Sequence, residues 1–128
     1  ASGGELSRVM LSLKSLLSSS ANLPTVIFNE IDSGVSGEVA DKVGRILEEM
    51  GKVMQVINIT HLPQVAARGR KHLHVYKEYQ GESTITRIRL LTEEERVMEV
   101  AKLLSGSEVT PTAVENAREL LNAALKQQ

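Results

Sequence analysis

Three features of the sequence predict an α/β fold built on parallel strands. The apolar, β-branched run Thr25, Val26, Ile27 and Phe28 ends in the polar pair Asn29 and Glu30, the pattern of a short buried parallel strand. A second run from Val53 to Ile59 stops at Thr60 and His61. Between them Val39, Val43, Ile46, Leu47 and Met50 recur at helical spacing before Gly51, so strand, helix and strand read as a right-handed crossover unit. That topology brings Asn29, Glu30 and His61 to one carboxyl edge, where open α/β sheets keep their ligands.

The remaining elements follow in order. Leu6, Val9, Met10, Leu13, Leu16 and Leu17 have the spacing of an amphipathic helix, with Ser2, Gly3 and Gly4 at its mouth and a polar break from Ser18 to Asn22. The segment from Leu62 to Ala67, with Pro63, predicts a short helical turn, and Arg68 to Lys71 a basic loop. His72 to Tyr79 and Ser83 to Leu91 alternate as two strands around Gly81, most simply a hairpin. Thr92 before Glu93, Glu94 and Glu95 is a helix cap with acidic first-turn residues, and that helix closes near Ser105 and Gly106. Thr110 with Pro111 opens a last helix through Ala117, Leu120, Leu121 and Leu125.

At 128 residues the chain has the size of one domain, so residues 1–128 are expected to form a single folding unit. Fifteen Lys and Arg against sixteen Asp and Glu leave a formal charge of -1, which gives no overall field for nucleic acid or an anionic membrane. The chain has no Cys, which excludes disulfide and thiolate chemistry, and its three scattered His argue against a structural zinc site. Phe28, Tyr76 and Tyr79 are the only aromatics, so the core must be aliphatic and base stacking is disfavoured as a binding mode. Apolar runs fall far short of the roughly 20 residues of a membrane helix, and no signal pattern opens the sequence. A soluble intracellular protein is expected.

The chemistry-bearing residues each admit two readings. Ser2, Gly3 and Gly4 before a helix can present backbone N–H groups to a phosphate, or can simply cap the helix. Asn29 and Glu30 at a strand end can orient a metal-bound phosphate and a water, the carboxylate accepting the water's proton, or can be the polar exit of a strand. His61 can hydrogen-bond a terminal phosphate or be structural. Arg68, Arg70, Lys71 and His72 form the one basic cluster, more simply a solvated loop than a DNA backbone contact.

Taken together and in order, these elements resemble the second half of an ABC-type ATPase head: signature loop, Walker B strand, D-loop and switch histidine. Within that superfamily the sequence is similar to the RecN family, the SMC-like bacterial proteins of DNA double-strand-break repair. The stretches Ala1-Ser2-Gly3-Gly4-Glu5-Leu6-Ser7-Arg8, Phe28-Asn29-Glu30-Ile31-Asp32-Ser33-Gly34-Val35-Ser36-Gly37 and Thr60-His61-Leu62-Pro63-Gln64-Val65-Ala66 carry the resemblance. So do Ala101 to Gly106 and Ala117 to Leu121.

The resemblance implies a partial P-loop head of ABC/SMC type, with parallel strands, crossover helices, a hairpin and C-terminal helices. It implies an ATP-gated, head-to-head homodimer in which Ser2, Gly3, Gly4 and Glu5 form the ATP-binding signature, the first three reaching the γ-phosphate held by the partner. Glu30 would activate water, His61 would contact the γ-phosphate, and Asp32, Ser33 and Gly34 would form a D-loop crossing the interface. Asn29 stands where the family carries the Walker B aspartate that helps hold Mg²⁺, so a weakened metal site is implied. No G-x-x-x-x-G-K-[ST] occurs in the 128 residues, so the phosphate-loop lobe is expected from a longer polypeptide and this chain alone is expected not to hydrolyse ATP. DNA is an implied partner through the complete protein and a membrane is not; the implied location is the cytoplasm, at the nucleoid. The alternative is a non-hydrolysing, nucleotide-gated dimerisation or interaction module. Lacking its covering lobe, the chain is also expected to expose apolar surface that favours self-association.

Overall fold

The computed structural model describes residues 12, 25–35, 37–106 and 108–126. The expected helix from Leu6 to Leu17 and the Ser2, Gly3, Gly4 and Glu5 loop lie outside the described residues. The elements in order are β1 (Thr25–Asn29), α1 (Gly37–Met50), β2 (Gln55–Ile59), α2 (Pro63–Ala66), β3 (Leu73–Gln80), β4 (Ser83–Leu90), α3 (Glu93–Ser105) and α4 (Pro111–Lys126).

Strands β1 and β2 pair in parallel, with Thr25 opposite Gln55 and Asn29 opposite Ile59, as the crossover reading requires. Period-two alternation turns Val26, Phe28 and Val56 inward, where they pack with Ile31, Ile46 and Leu62 on buried Val43, Leu47, Met50, Met54 and Val65. The second strand begins at Gln55, two residues later than its β-branched run suggests. Helical hydrogen bonding outlasts α1: the N–H groups of Val53 and Met54 both donate to Met50 O, at 3.1 and 3.0 Å. This winding places Met54 in the core and leaves Val53 exposed.

Strands β3 and β4 form an antiparallel hairpin from Leu73 opposite Leu90 to Gln80 opposite Ser83. Gly81 takes φ 62°, the left-handed conformation that its two-residue turn needs. The hairpin and the β1–β2 pair are separate two-stranded sheets. A second apolar cluster joins Val97, Val100 and Ala101 of α3 to Ala113, Ala117 and Leu121 of α4. It is built from small aliphatic side chains, as the scarcity of aromatics dictates.

The short α2 segment bridges the two clusters, Val65 belonging to one and Ala67 to the other. Two buried arginines fix it. Arg68 reaches back to α1, pairing with Asp41 at 3.0 Å and Glu48 at 3.3 Å. Its place is therefore inside the protein, whereas Arg70 and Lys71 are exposed as a solvated loop would have them. Arg96 of α3 donates to the carbonyls of Ala66 and Ala67, both at 3.1 Å, and to that of Gly69. These carbonyls lie at and just beyond the end of α2, which has no further turn to satisfy them. Burial lowers the Arg96 pKa, opposed by the charge of Glu93.

Both sheets present apolar faces to solvent, in keeping with the expectation of exposed apolar surface. Ile27, Ile57 and Ile59 share one face of the parallel pair, and Leu73, Val75, Tyr79, Ile88 and Leu90 share one face of the hairpin. Among the described residues no helix is long and apolar enough to cross a membrane.

Thr92 and Glu95 form a reciprocal capping box: Glu95 N–H donates to the Thr92 hydroxyl at 3.2 Å, and Thr92 N–H to the Glu95 carboxylate at 3.0 Å. Thr92→Ala should therefore lower unfolding stability by about 1 kcal/mol in a urea titration. At the base of the hairpin, His72 has its pKa pushed below the ordinary value of 6.5, first by burial and then by the charge of Arg96. The unfolded chain thus binds this proton more readily than the folded one, so stability is fully present above pH 6.5 and falls as pH drops through the lowered value. Thermal unfolding between pH 7.5 and pH 5 should show a falling midpoint that His72→Gln flattens.

Candidate functional site

The carboxyl edge of the β1–β2 pair collects the residues that the sequence singles out. Asn29 closes β1 and lies exposed opposite Ile59. The parallel ladder runs one residue further, because Glu30 N–H donates to Ile59 O at 2.8 Å. Glu30 then turns at φ 53°, the only non-glycine residue with a positive φ among the described residues. L-side chains avoid this conformation because Cβ crowds the carbonyl. The turn closes through Ser33 N–H on Glu30 O and Val35 N–H on Asp32 O, each at 3.2 Å.

Leaving β2, Thr60 and His61 lead to Leu62 and the Pro63 start of α2. The fold brings the two chemical candidates together: Glu30 Oε1 stands 3.7 Å from His61 Nδ1, with both side chains a little over half exposed. A water or phosphate oxygen can therefore reach both groups from solvent. The pair spans thirty-one positions in sequence and is brought together by the parallel register.

The predicted D-loop residues divide. Ser33 and Gly34 are exposed, whereas Asp32 is fully buried. One Asp32 carboxyl oxygen accepts a hydrogen bond from the Thr60 hydroxyl. That carboxyl is turned inward and held within the chain. Thr60 escaped the sequence reading as a functional residue; the signal available was its place immediately before His61. Ser2, Gly3, Gly4 and Glu5 lie outside the described residues. Among the described residues no group of three or more His, Asp or Glu side chains is placed to hold a metal ion. Asn29 offers an amide oxygen without charge, so what this edge would contribute to a magnesium site is weak.

Parallel strands with a polar carboxyl edge, a separate hairpin and a pair of packed helices form a fold that this chain shares with a solved structure. A solved chain from "Structural biochemistry of ATP-driven dimerization and DNA stimulated activation of SMC ATPases" matches with a TM-score of 0.63, covering 84% of this chain and 64% of that one at 18% identity. No family model matches the chain. In sequence, the chain is 45% identical over 124 residues to the DNA repair protein RecN of Bacillus subtilis, which is 97% of this chain and 22% of that protein. It is 44% identical over 124 residues to RecN of Vibrio cholerae and 46% identical over 127 residues to RecN of Treponema pallidum. The chain is thus RecN-like along nearly its whole length, and the resemblance stated from its motifs is borne out. It spans about a fifth of the length of the curated relatives it matches.

The strained backbone at Glu30 has a measurable consequence. Glycine adopts a positive φ without crowding and alanine does not, so Glu30→Gly should be more stable than Glu30→Ala by about 1 kcal/mol in urea unfolding. Equal stabilities would show that the left-handed turn relaxes when the carboxylate is removed.

Proposed function

We propose that this chain is the C-terminal part of the ATPase head of a RecN-like protein of DNA double-strand-break repair, residues 1–128 forming one unit. In the complete protein it contributes signature, Walker B strand and switch histidine to an ATP-hydrolysing head-to-head dimer. The observation that carries the reading is the approach of Glu30 to His61 at the carboxyl edge of the parallel pair, 3.7 Å apart and open to solvent.

In this reading Glu30 accepts a proton from a water whose oxygen attacks the γ-phosphorus. The bond from that phosphorus to the β,γ-bridging oxygen breaks, giving ADP and inorganic phosphate. His61 hydrogen-bonds a γ-phosphate oxygen and holds it beside the attacking water. Ser2, Gly3 and Gly4, with Glu5 behind them, approach the γ-phosphate of ATP bound on the partner head, and exposed Ser33 and Gly34 face that partner. ATP touching both heads stabilises the closed pair by its differential affinity, and hydrolysis releases it. The phosphate-loop lobe comes from the rest of the polypeptide, and the complete head would hold magnesium with the nucleotide, weakly on the Asn29 side. The protein acts in the cytoplasm at the nucleoid, meeting DNA through its full length and not a membrane.

The uncharged Asn29 favours one second reading, a nucleotide-gated clamp that binds ATP without turnover. Mixing this chain with a separately produced phosphate-loop lobe separates the two. The expected result is hydrolysis that needs both pieces, falls by at least about a hundredfold in Glu30→Gln and rises in Asn29→Asp. Binding without turnover in every form would establish the clamp. Turnover by this chain alone that survives Glu30→Gln would overturn both readings.

A further inference from the structure

Beneath the Glu30–His61 pair lies a buried polar contact that packing does not explain. Asp32 is fully buried two residues after Glu30, and its carboxyl accepts from the Thr60 hydroxyl. The same hydroxyl oxygen accepts from Leu62 N–H at 3.1 Å, so the backbone on both sides of His61 is gathered onto one side chain. The other Asp32 oxygen, Oδ1, has no hydrogen-bond partner among the described residues. A buried carboxyl with an unsatisfied oxygen lowers stability. An apolar residue of the same size would serve the turn better as mere filling.

Two ties therefore bind the Glu30 turn to the end of β2. One is the last rung of the ladder, Glu30 N–H on Ile59 O at 2.8 Å. The other is the Asp32–Thr60 contact. The ladder fixes the height of Glu30 along the strand but leaves the left-handed turn after it free to pivot. The second tie stops that pivot, because it anchors the far side of the turn directly to the residue preceding His61.

We propose that the Asp32–Thr60 hydrogen bond is a clasp that sets the separation of Glu30 and His61, making Asp32 and Thr60 positioning residues for water attack. The proposal rests on the reading of Glu30 and His61 given under Proposed function. It assigns Asp32 a task inside its own head, where the family resemblance places it in a loop that crosses to the partner. The burial of the carboxyl within its own chain favours the first of these.

The test has one arm that requires no ATP. In this chain, Thr60→Val keeps the shape and deletes the hydroxyl, both the donor to Asp32 and the acceptor for Leu62 N–H, so the informative site is Ser33, whose amide hydrogen exchange should speed about tenfold while α4 is unchanged. Thr60→Ser, which keeps the hydroxyl, should restore the parental rates. In the assembled two-lobe head, Thr60→Val should lower kcat about tenfold or more with KM for ATP nearly unchanged, and Thr60→Ser should recover most of it. Asp32→Leu guards against a simple folding defect: its thermal midpoint should match or exceed the parent while kcat falls equally.

Parental kcat in Thr60→Val, failure of Thr60→Ser to recover kcat, or a joint fall of kcat and midpoint in Asp32→Leu overturns the clasp. Parental hydrolysis in Glu30→Gln instead overturns the assignment of Glu30. The positioning role then falls with it, while the exchange rates still report whether the contact holds the turn.

Discussion

Everything in this fold leans on four residues of helix and the two arginines that grip them. The α2 segment is too short to be stable alone, since a single turn fixes several backbone dihedrals for very few hydrogen bonds. Arg96 gathers the carbonyls at its end, and Arg68, two residues beyond it, is tied to two carboxylates of α1. Breaking a buried pair by removing one partner costs about 3–5 kcal/mol, several times the ~1 kcal/mol upper range of exposed pairs such as Lys42 with Glu38. Without that grip the two apolar clusters would have little to hold them in register. His61, just upstream of α2, would lose its fixed approach to Glu30.

The site sits at the opposite extreme of energetic economy. Glu30 occupies a left-handed backbone conformation, and Asp32 buries a carboxyl with one oxygen unsatisfied. Both features work against stability, and they lie two residues apart on one turn. A turn evolved for stability alone would carry glycine at the first position and an apolar residue at the second. Strain that persists at such a point is held by the surrounding structure, here by the β1–β2 ladder and the Thr60 hydroxyl.

The elements were legible where a local signal was strong. The parallel pair announced itself through β-branched runs ending in polar residues, the hairpin through alternation around Gly81, and the last helices through Thr92, Thr110 and Pro111. The meeting of Glu30 with His61 was legible too, because parallel register forces neighbouring strand ends together. What stayed hidden depends on long-range burial. Arg68 reads as part of a basic surface loop until Asp41 and Glu48 on α1 face it across twenty or more positions. Nothing in the local sequence of Asp32 reveals its burial or the Thr60 hydroxyl behind it. The start of β2 shifted for a related reason: the β-branched Val53 looks like strand, but helical hydrogen bonding carries past it.

The uneven placement of the aromatic side chains has an optical consequence. Both tyrosines, Tyr76 and Tyr79, lie on β3, and the chain has no tryptophan. Intrinsic tyrosine emission from this protein is therefore a signal from the hairpin alone. Melting of the α3–α4 cluster would leave that emission unchanged unless the hairpin moved as well, and Phe28 is the single ring that shares a cluster with the strands of the candidate site.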